Sequence, residues 1–599
     1  MSNYESVKSN MDYYTFVNGE NGGGRKRSTR GAVSRNIMND IQQEMDKEIL
    51  QSLKINRSKQ HVFQDLMNIP LRKSSDCPSY MIEIYNNMLR STSREDILEV
   101  YGTMQVFGLN AFGIGTIHTD LTDIQSRECL FMSPVQAQFR SDKAAEYMKV
   151  LSDKFKVEHV DGVEWEVEIM CDIPTSKDDI SIKAMQFIDF DNVPAYIKWT
   201  YSALILPNSK PRTLIIVCKD WFKYLYSQMR KDIVKMREYL ACRWLAFIST
   251  LFKDTISKGS VIYYNRLKGK SINQYEMISN YYSDAFNDYM FQLYGHCESE
   301  MILFKDMVKN IKQFYKKVFM NSSVLTPELV NIYIKKVDSV VVFSHPLDNL
   351  KVRYDMPDIE ICEYFDTLII SGYQRQIKHM YGMMGTRNYY KKGGVKHNIF
   401  NVWNYVRMNV ANAFFLKDRN MVVIPYGLIM RPEFIKSKSI EELYAWLGVI
   451  IGHEIGHAFD STGRLIDGCY QMIDFTKSEK KEFEQFDNNF NKLMSIKDVK
   501  LVGPIPFRMD NSRDELLADM LSIDVISKGF EGDCDFNMKT FFHEFAKYQW
   551  EINDNIDIDI TLHPLNIMRV NIPLVINHIF ASTYNLNIDD CMYKPLQLW

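Results

Sequence analysis

At 599 residues the chain is too long for one compact core and ample for two large lobes. With 46% hydrophobic and 25% charged residues it has the composition of an ordinary folded protein, which excludes disordered and fibrous classes. The formal net charge of −3 provides no global field that would select nucleic acid or an anionic membrane as partner.

In chain order, the opening "MSNYESVKSNMDYYTFVNGENGGGRKRSTR" lacks the apolar core of a signal peptide. Nowhere do about 18 consecutive apolar residues occur, so no transmembrane anchor is expected. Ten cysteines are scattered without a CxxC, which reads as free thiols in a reducing compartment. A soluble, cytoplasmic protein is therefore expected, with unconventional export as the alternative. The basic run Arg25 to Arg30 reads as a solvated loop, the alternative being a nuclear-localisation or anion-binding patch. Helical periodicity marks "NIMNDIQQEMDKEILQSL", "EDILEVYGTMQVFG", "WFKYLYSQMRKDIVKMREYLACRWLAFISTLF" and "MILFKDMVKNIKQFYKKVF". "YIKWTYSALILP" and "SVVVFSHP" read as strands or buried extended runs. The first part is thus helix-rich with sparse strands. The Gly- and Lys-rich stretch Tyr389 to Asn398 is the clearest punctuation, and it places the major boundary near residue 390, between regions 1–390 and 391–599.

Beyond that boundary, Ser439 and Glu442 have the spacing of a capping box, and "IEELYAWLGVIIGHEIGHAF" then runs apolar on most faces, as a helix buried in a lobe does. His453 and His457 lie four residues apart and project from one face of that helix. With Glu454 beside them they form His-Glu-x-x-His, two ligands of a catalytic zinc site and a carboxylate able to take a proton from water. The alternative is a buried helix with two satisfied core histidines. A third ligand is sought on "NSRDELLADMLSIDVISKG", a helix ending at the C-cap Gly529. There Glu515 and Asp519 share a face, so Glu515 is the candidate ligand and Asp519 the acceptor for a histidine's other ring nitrogen. Ser512 with Glu515 is also a capping box, which is the competing explanation.

"HEIGHAFDSTGR" followed by "ELLAD" resembles the neprilysin family of zinc metallopeptidases, which includes the endothelin-converting enzymes and bacterial oligopeptidases. "NVANAFFLKDRNMVVIPYGLIMRPEF" is similar to the family's Asn-Ala-Tyr-Tyr segment and the strand after it, "FFHEFAKYQW" to a family helix, and "LHPLNIMRVN" to its His-x(5)-Arg site. "DYYTFVNG" is similar to the family's opening. The resemblance implies a mainly α (α+β) fold, with a thermolysin-like catalytic lobe and a second helix-rich lobe enclosing a chamber. It implies one zinc ion per chain on His453, His457 and Glu515, with Glu454 as general base and Asp519 and Asp460 as partners of the histidines. Asn412 and Ala413 match the segment that pairs with substrate backbone, and His563 and Arg569 match the residues that stabilise the oxyanion and grip a substrate carbonyl. Family cysteines are replaced here by Asn18, Glu551 and Gln597, which resembles the disulfide-free branch. "YGL" at Tyr426 to Leu428 stands where Ala-Gly-Ile is usual, so substrate preference departs from the family pattern. The expectation is a zinc endopeptidase acting on oligopeptides. The alternative is a catalytically inactive binding or structural protein of the same fold.

Overall fold

The computed structural model describes residues 13–18, 35–55, 61–111, 113–119, 127–134, 144–166, 186–189, 213–216, 219–258, 274–294, 298–344, 356–384, 389–392, 395–398, 402–429, 438–476, 513–549, 551–552 and 564–587, with residue 169 and scattered positions from 480 to 491. Helices dominate. The periodic segments fold as their spacing dictates: in Ile37–Ile55 the buried Ile41, Met45 and Ile49 fall one turn apart and face the core. Arg94–Val106 starts at a capping box of Ser93 and Asp96. The long periodic stretch from residue 219 divides into Lys219–Lys231 and Ile233–Ser249, because Asp232 accepts a hydrogen bond from the amide of Lys235 and so begins a new helix. Ile233–Ser249 is buried on nearly every side.

Two sheets matter for the site. The first, made entirely of residues before 217, orders its strands Gly113–Thr119, Glu128–Pro134, Thr213–Ile216, Gln186–Asp189, with the central pair parallel and the outer pairs antiparallel. These short strands lack a sustained alternation, and sequence reading passed over them. The second orders Val341–Phe343, Met421–Val423, Phe414–Leu416, which leaves Phe414–Leu416 at the edge. Val341–Phe343 pairs parallel and Phe414–Leu416 antiparallel with the central strand. The two sheets are joined by a buried bidentate ion pair, Arg419 on Glu128, with Nη2 to Oε2 at 2.9 Å.

Chain order and spatial neighbourhood part company around helix Arg513–Gly529. Helix Glu298–Met320 packs on helix Arg513–Gly529, with Phe314 against Phe530 and Tyr315 donating to the Gly452 carbonyl at 2.6 Å. At the other terminus, Tyr13 packs edge-on against Phe580, and its hydroxyl lies 2.6 Å from that of Tyr584. Elements from before residue 390 therefore buttress those after it. Within the Gly- and Lys-rich stretch, Tyr389–Lys392 pairs antiparallel with Val395–Asn398 as a two-stranded hairpin. Among the described residues no helix is long and apolar enough to cross a membrane, and Cys77, Cys242, Cys362 and Cys534 are free thiols. The basic run Arg25 to Arg30 and the stretch Tyr196 to Pro207 lie outside the described residues.

Candidate metal centre

The helix that carries the histidines opens as its sequence pattern predicts. Ser439 Oγ accepts from the Glu442 amide at 3.3 Å, and Glu442 Oε2 accepts from the Ser439 amide at 2.9 Å. It then runs through Ile440–Leu443, a π-helical turn at Tyr444–Gly448, and Val449–Gly456, with His457 as C-cap. The π turn was not legible in the apolar run; such single wide turns recur beside functional sites.

Small residues bring this helix onto Arg513–Gly529. A Cβ on Gly452 would stand 2.5 Å from Ser522 Oγ, and one on Gly456 would stand 3.1 Å from Ala518 Cα. The stripe Gly452/Gly456 therefore meets the stripe Ala518/Ser522 at near-backbone distance. The neighbouring stripes are thereby brought together, His453 and His457 on one helix, Glu515 and Asp519 on the other. Ser522 adds a hydrogen bond to the Val449 carbonyl at 2.8 Å.

Each imidazole is fixed on its Nδ1 side. His453 Nδ1 lies 2.8 Å from Asp519 Oδ1, and His457 Nδ1 lies 2.9 Å from Asp460 Oδ2. These carboxylates accept from Nδ1, so each imidazole, in its neutral form, turns a bare Nε2 toward the other. The two Nε2 atoms stand 3.1 Å apart, and Glu515 presents Oε2 at 3.3 Å from His453 Nε2 and Oε1 at 3.7 Å from His457 Nε2. Lone pairs facing each other at that separation repel unless a cation lies among them. One donor atom each from His453, His457 and Glu515 fall within 4.8 Å of one another. Two neutral imidazoles and a carboxylate, oriented from behind by aspartates, are a donor set suited to zinc, and the residues present fit that ion.

The electrostatics agree. Burial opposes charge on His453, yet Asp519, Glu515 and Glu454 together raise it to about 10, the mark of a field that favours positive charge. Glu454 is buried beside the histidines, and burial, reinforced by Glu515, pushes its carboxyl upward against the pull of His453, His457 and Arg569.

Behind each aspartate stands a cation. Asp519 takes Arg569 bidentately, Nε to Oδ2 and Nη2 to Oδ1, both at 2.8 Å. Against the cost of burial, Arg569 and then His453 hold Asp519 below the usual carboxylate range. Asp460 takes Lys417 Nζ at 2.7 Å on Oδ2, while its Oδ1 accepts from the amides of Thr462 at 3.0 Å and Gly463 at 2.6 Å. Lys417, and then His457, outweigh burial and hold Asp460 well below its ordinary value. A second lysine, Lys336, is fully buried and donates to the carbonyls of Gly463 and Ile466 in the same loop. Sequence reading missed both lysines. Nothing in "LKDR" or "IYIKKVD" distinguishes a buried lysine from a solvated one.

The structure brings together His453, Glu454, His457, Asp460, Glu515, Asp519 and Arg569. Asn412, exposed, and Ala413, buried, immediately precede the edge strand Phe414–Leu416. Arg569 sits on helix Asn566–Val575 with two of its nitrogens engaged by Asp519, a contact the sequence did not suggest. His563 and Ser512 lie outside the described residues.

Fold and site together define a helix-rich, mainly α protein in which a His-Glu-x-x-His helix and Glu515 bring together three side chains able to hold a metal ion. The chain matches the model of peptidase family M13 over residues 412–597. It is similar to the neutral endopeptidase of Lactococcus lactis, 24% identical over 200 residues that cover 32% of this chain and 31% of that protein. It is similar also to that of Lactobacillus helveticus, 23% identical over 296 residues covering 48% and 43%. The chain thus aligns with less than half the length of these curated relatives. Its fold extends further: PepO from Lactobacillus rhamnosis superposes with a TM-score of 0.77 at 15% identity, covering 98% of each chain. A zinc metalloprotease of Mycobacterium tuberculosis, solved with an inhibitor, gives 0.75 at 14% identity, covering 98% of this chain and 96% of that one.

Proposed function

We propose that the chain is a zinc-dependent endopeptidase of oligopeptides. His453, His457 and Glu515 would hold one zinc ion per chain, which when bound supplies Lewis acidity toward a peptide carbonyl and toward water. Glu454 takes the proton of the attacking water and delivers it to the leaving amine. Asp519 and Asp460 keep the two imidazoles in the Nδ1–H tautomer and in orientation. The outer edge of Phe414–Leu416, with Asn412 and Ala413 leading into it, offers backbone groups to an extended peptide as an added strand. Arg569, its Nε and Nη2 engaged by Asp519, turns its remaining nitrogen to a substrate carbonyl, and His563 supports the oxyanion. Residues 391–599 carry every proposed ligand, residues 1–390 cover and buttress them, and closure of the two lobes around the cleft excludes folded proteins. Free thiols at Cys77, Cys242, Cys362 and Cys534 support a reducing, cytoplasmic setting.

The observation that carries this reading is the convergence of two aspartate-braced Nε2 atoms and the Glu515 carboxylate beside the buried Glu454. The test is turnover of a quenched peptide library by the full chain, with and without a chelator, alongside Glu454→Gln. Glu454→Gln should keep its zinc and lose about 10²- to 10⁴-fold in kcat, roughly 3 to 5 kcal/mol of barrier. Cleavage by metal-free protein would sink the assignment. Zinc and peptide binding without cleavage by the wild type would make the chain an inactive binding protein of this fold.

A further inference from the structure

We infer that Lys417 is a positioning residue of the metal centre, one that locks His457 through Asp460 and ties it to the edge strand; the inference rests on the zinc reading above. Three observations carry it. Asp460 Oδ2 is shared, accepting from His457 Nδ1 at 2.9 Å and from Lys417 Nζ at 2.7 Å. Asp460 Oδ1 is already saturated by Thr462 and Gly463, so Lys417 is the cation that balances this buried carboxylate. Lys417 also bonds Thr462 Oγ1 and lies 3.6 Å from Oδ2 of Asp514, the residue immediately before Glu515 in the chain. The ammonium therefore stands where the loop after His457 meets the helix that carries the third ligand.

Its place in the chain gives the contact its meaning. Lys417 directly follows Leu416, the last residue of the edge strand, and Leu416 is in register with Met421 of the central strand. The same residue that ends the docking edge thus grips the carboxylate behind a ligand. The other histidine has a matching but separate arrangement, with Arg569 of a distant helix behind Asp519. Without Lys417, Asp460 keeps its backbone contacts but loses its cationic partner, and the carboxylate that orients His457 is free to turn.

The test is zinc affinity of the purified full chain, measured with zinc chloride by competition with a chromophoric chelator, beside thermal melting. Lys417→Met should raise the zinc Kd about tenfold, the lower end for groups that orient a ligand from behind. Lys417→Arg, which keeps a cation against Asp460, should restore most of the affinity, a rescue that a purely structural role does not require. Lys417→Gln, neutral but able to donate, serves if the methionine variant does not fold, and should bind zinc less tightly than Lys417→Arg. Wild-type affinity in the folded neutral variant overturns the inference, and so does a wild-type chain that binds no zinc. A wild type that binds zinc but cleaves no peptide removes the peptidase reading alone, because the lysine's readout is affinity.

Discussion

His453 is braced through regular helices, whereas His457 is braced through a loop and buried charges. On the first side, Gly452 and Gly456 meet Ser522 and Ala518 at near-backbone distance, and the placement of His453, Asp519 and Glu515 follows from one helix-helix register. On the second side, Asp460 lies past the helix end, and its loop is held by Lys417 and Lys336, which come from remote parts of the chain. The comparison teaches that one centre can be half packing and half electrostatics. The two halves should fail differently when perturbed.

The largest effect is expected at the residue both halves share. Glu515→Gln keeps the shape of the side chain but removes the anionic donor that reaches both Nε2 atoms. Elemental analysis should find zinc lost and peptide cleavage at background, with the melting temperature of the metal-free protein little changed. Retained zinc would take Glu515 out of the site and leave it as a capping residue.

Next come paired substitutions that strike one half each. Arg419→Met, two residues from Lys417, strands Glu128 as a buried carboxylate without its partner, and removal of one member of such a pair costs about 3–5 kcal/mol. Gly452→Ala forces a methyl toward Ser522 Oγ; overpacking of about 1–3 kcal/mol is partly offset by about 1 kcal/mol of helix propensity. Urea unfolding should rank Arg419→Met well above Gly452→Ala. Adding Ser522→Gly should relieve Gly452→Ala, and failure to do so would mean that close helix contact is not what sets the first half.

The same division explains what the sequence disclosed. The helix-packed half was legible because its chemistry sits at fixed spacings: His453, Glu454 and His457 on one turn, Glu515 and Asp519 on another, a capping box at Ser439. Resemblance to a family supplied Asn412, Ala413, His563 and Arg569, which no spacing marks. The charged half was not legible, since Lys336, Lys417, Glu128 and Arg419 read as ordinary surface residues until the fold buries them. The first sheet escaped for a related reason: its parallel central pair is fixed by contacts between strands far apart in sequence.

Lys336 gives the smallest and most specific test, because its signature is a slope with pH. Desolvation by burial lowers its ammonium from 10.5 to about 7, with Asp460 and Asp467 opposing and Lys417 assisting. Below about pH 7 the lysine is protonated in both folded and unfolded chains, and the fold carries the full cost of burying the charge. Between about 7 and 10.5 the folded chain has released a proton that the unfolded chain still holds, so this group's contribution to stability rises with pH through that window. Lys336→Met has no such proton, and it strips the Gly463 and Ile466 carbonyls of a donor, at about 1–3 kcal/mol for each group left unsatisfied. Urea melts of zinc-loaded wild type and Lys336→Met should therefore show a gap in favour of the wild type that widens from pH 7 to pH 9, by about 1 kcal/mol per pH unit. A gap that stays constant would mean that Lys336 keeps its charge inside the fold, and the loop after His457 would then be held by two permanent cations.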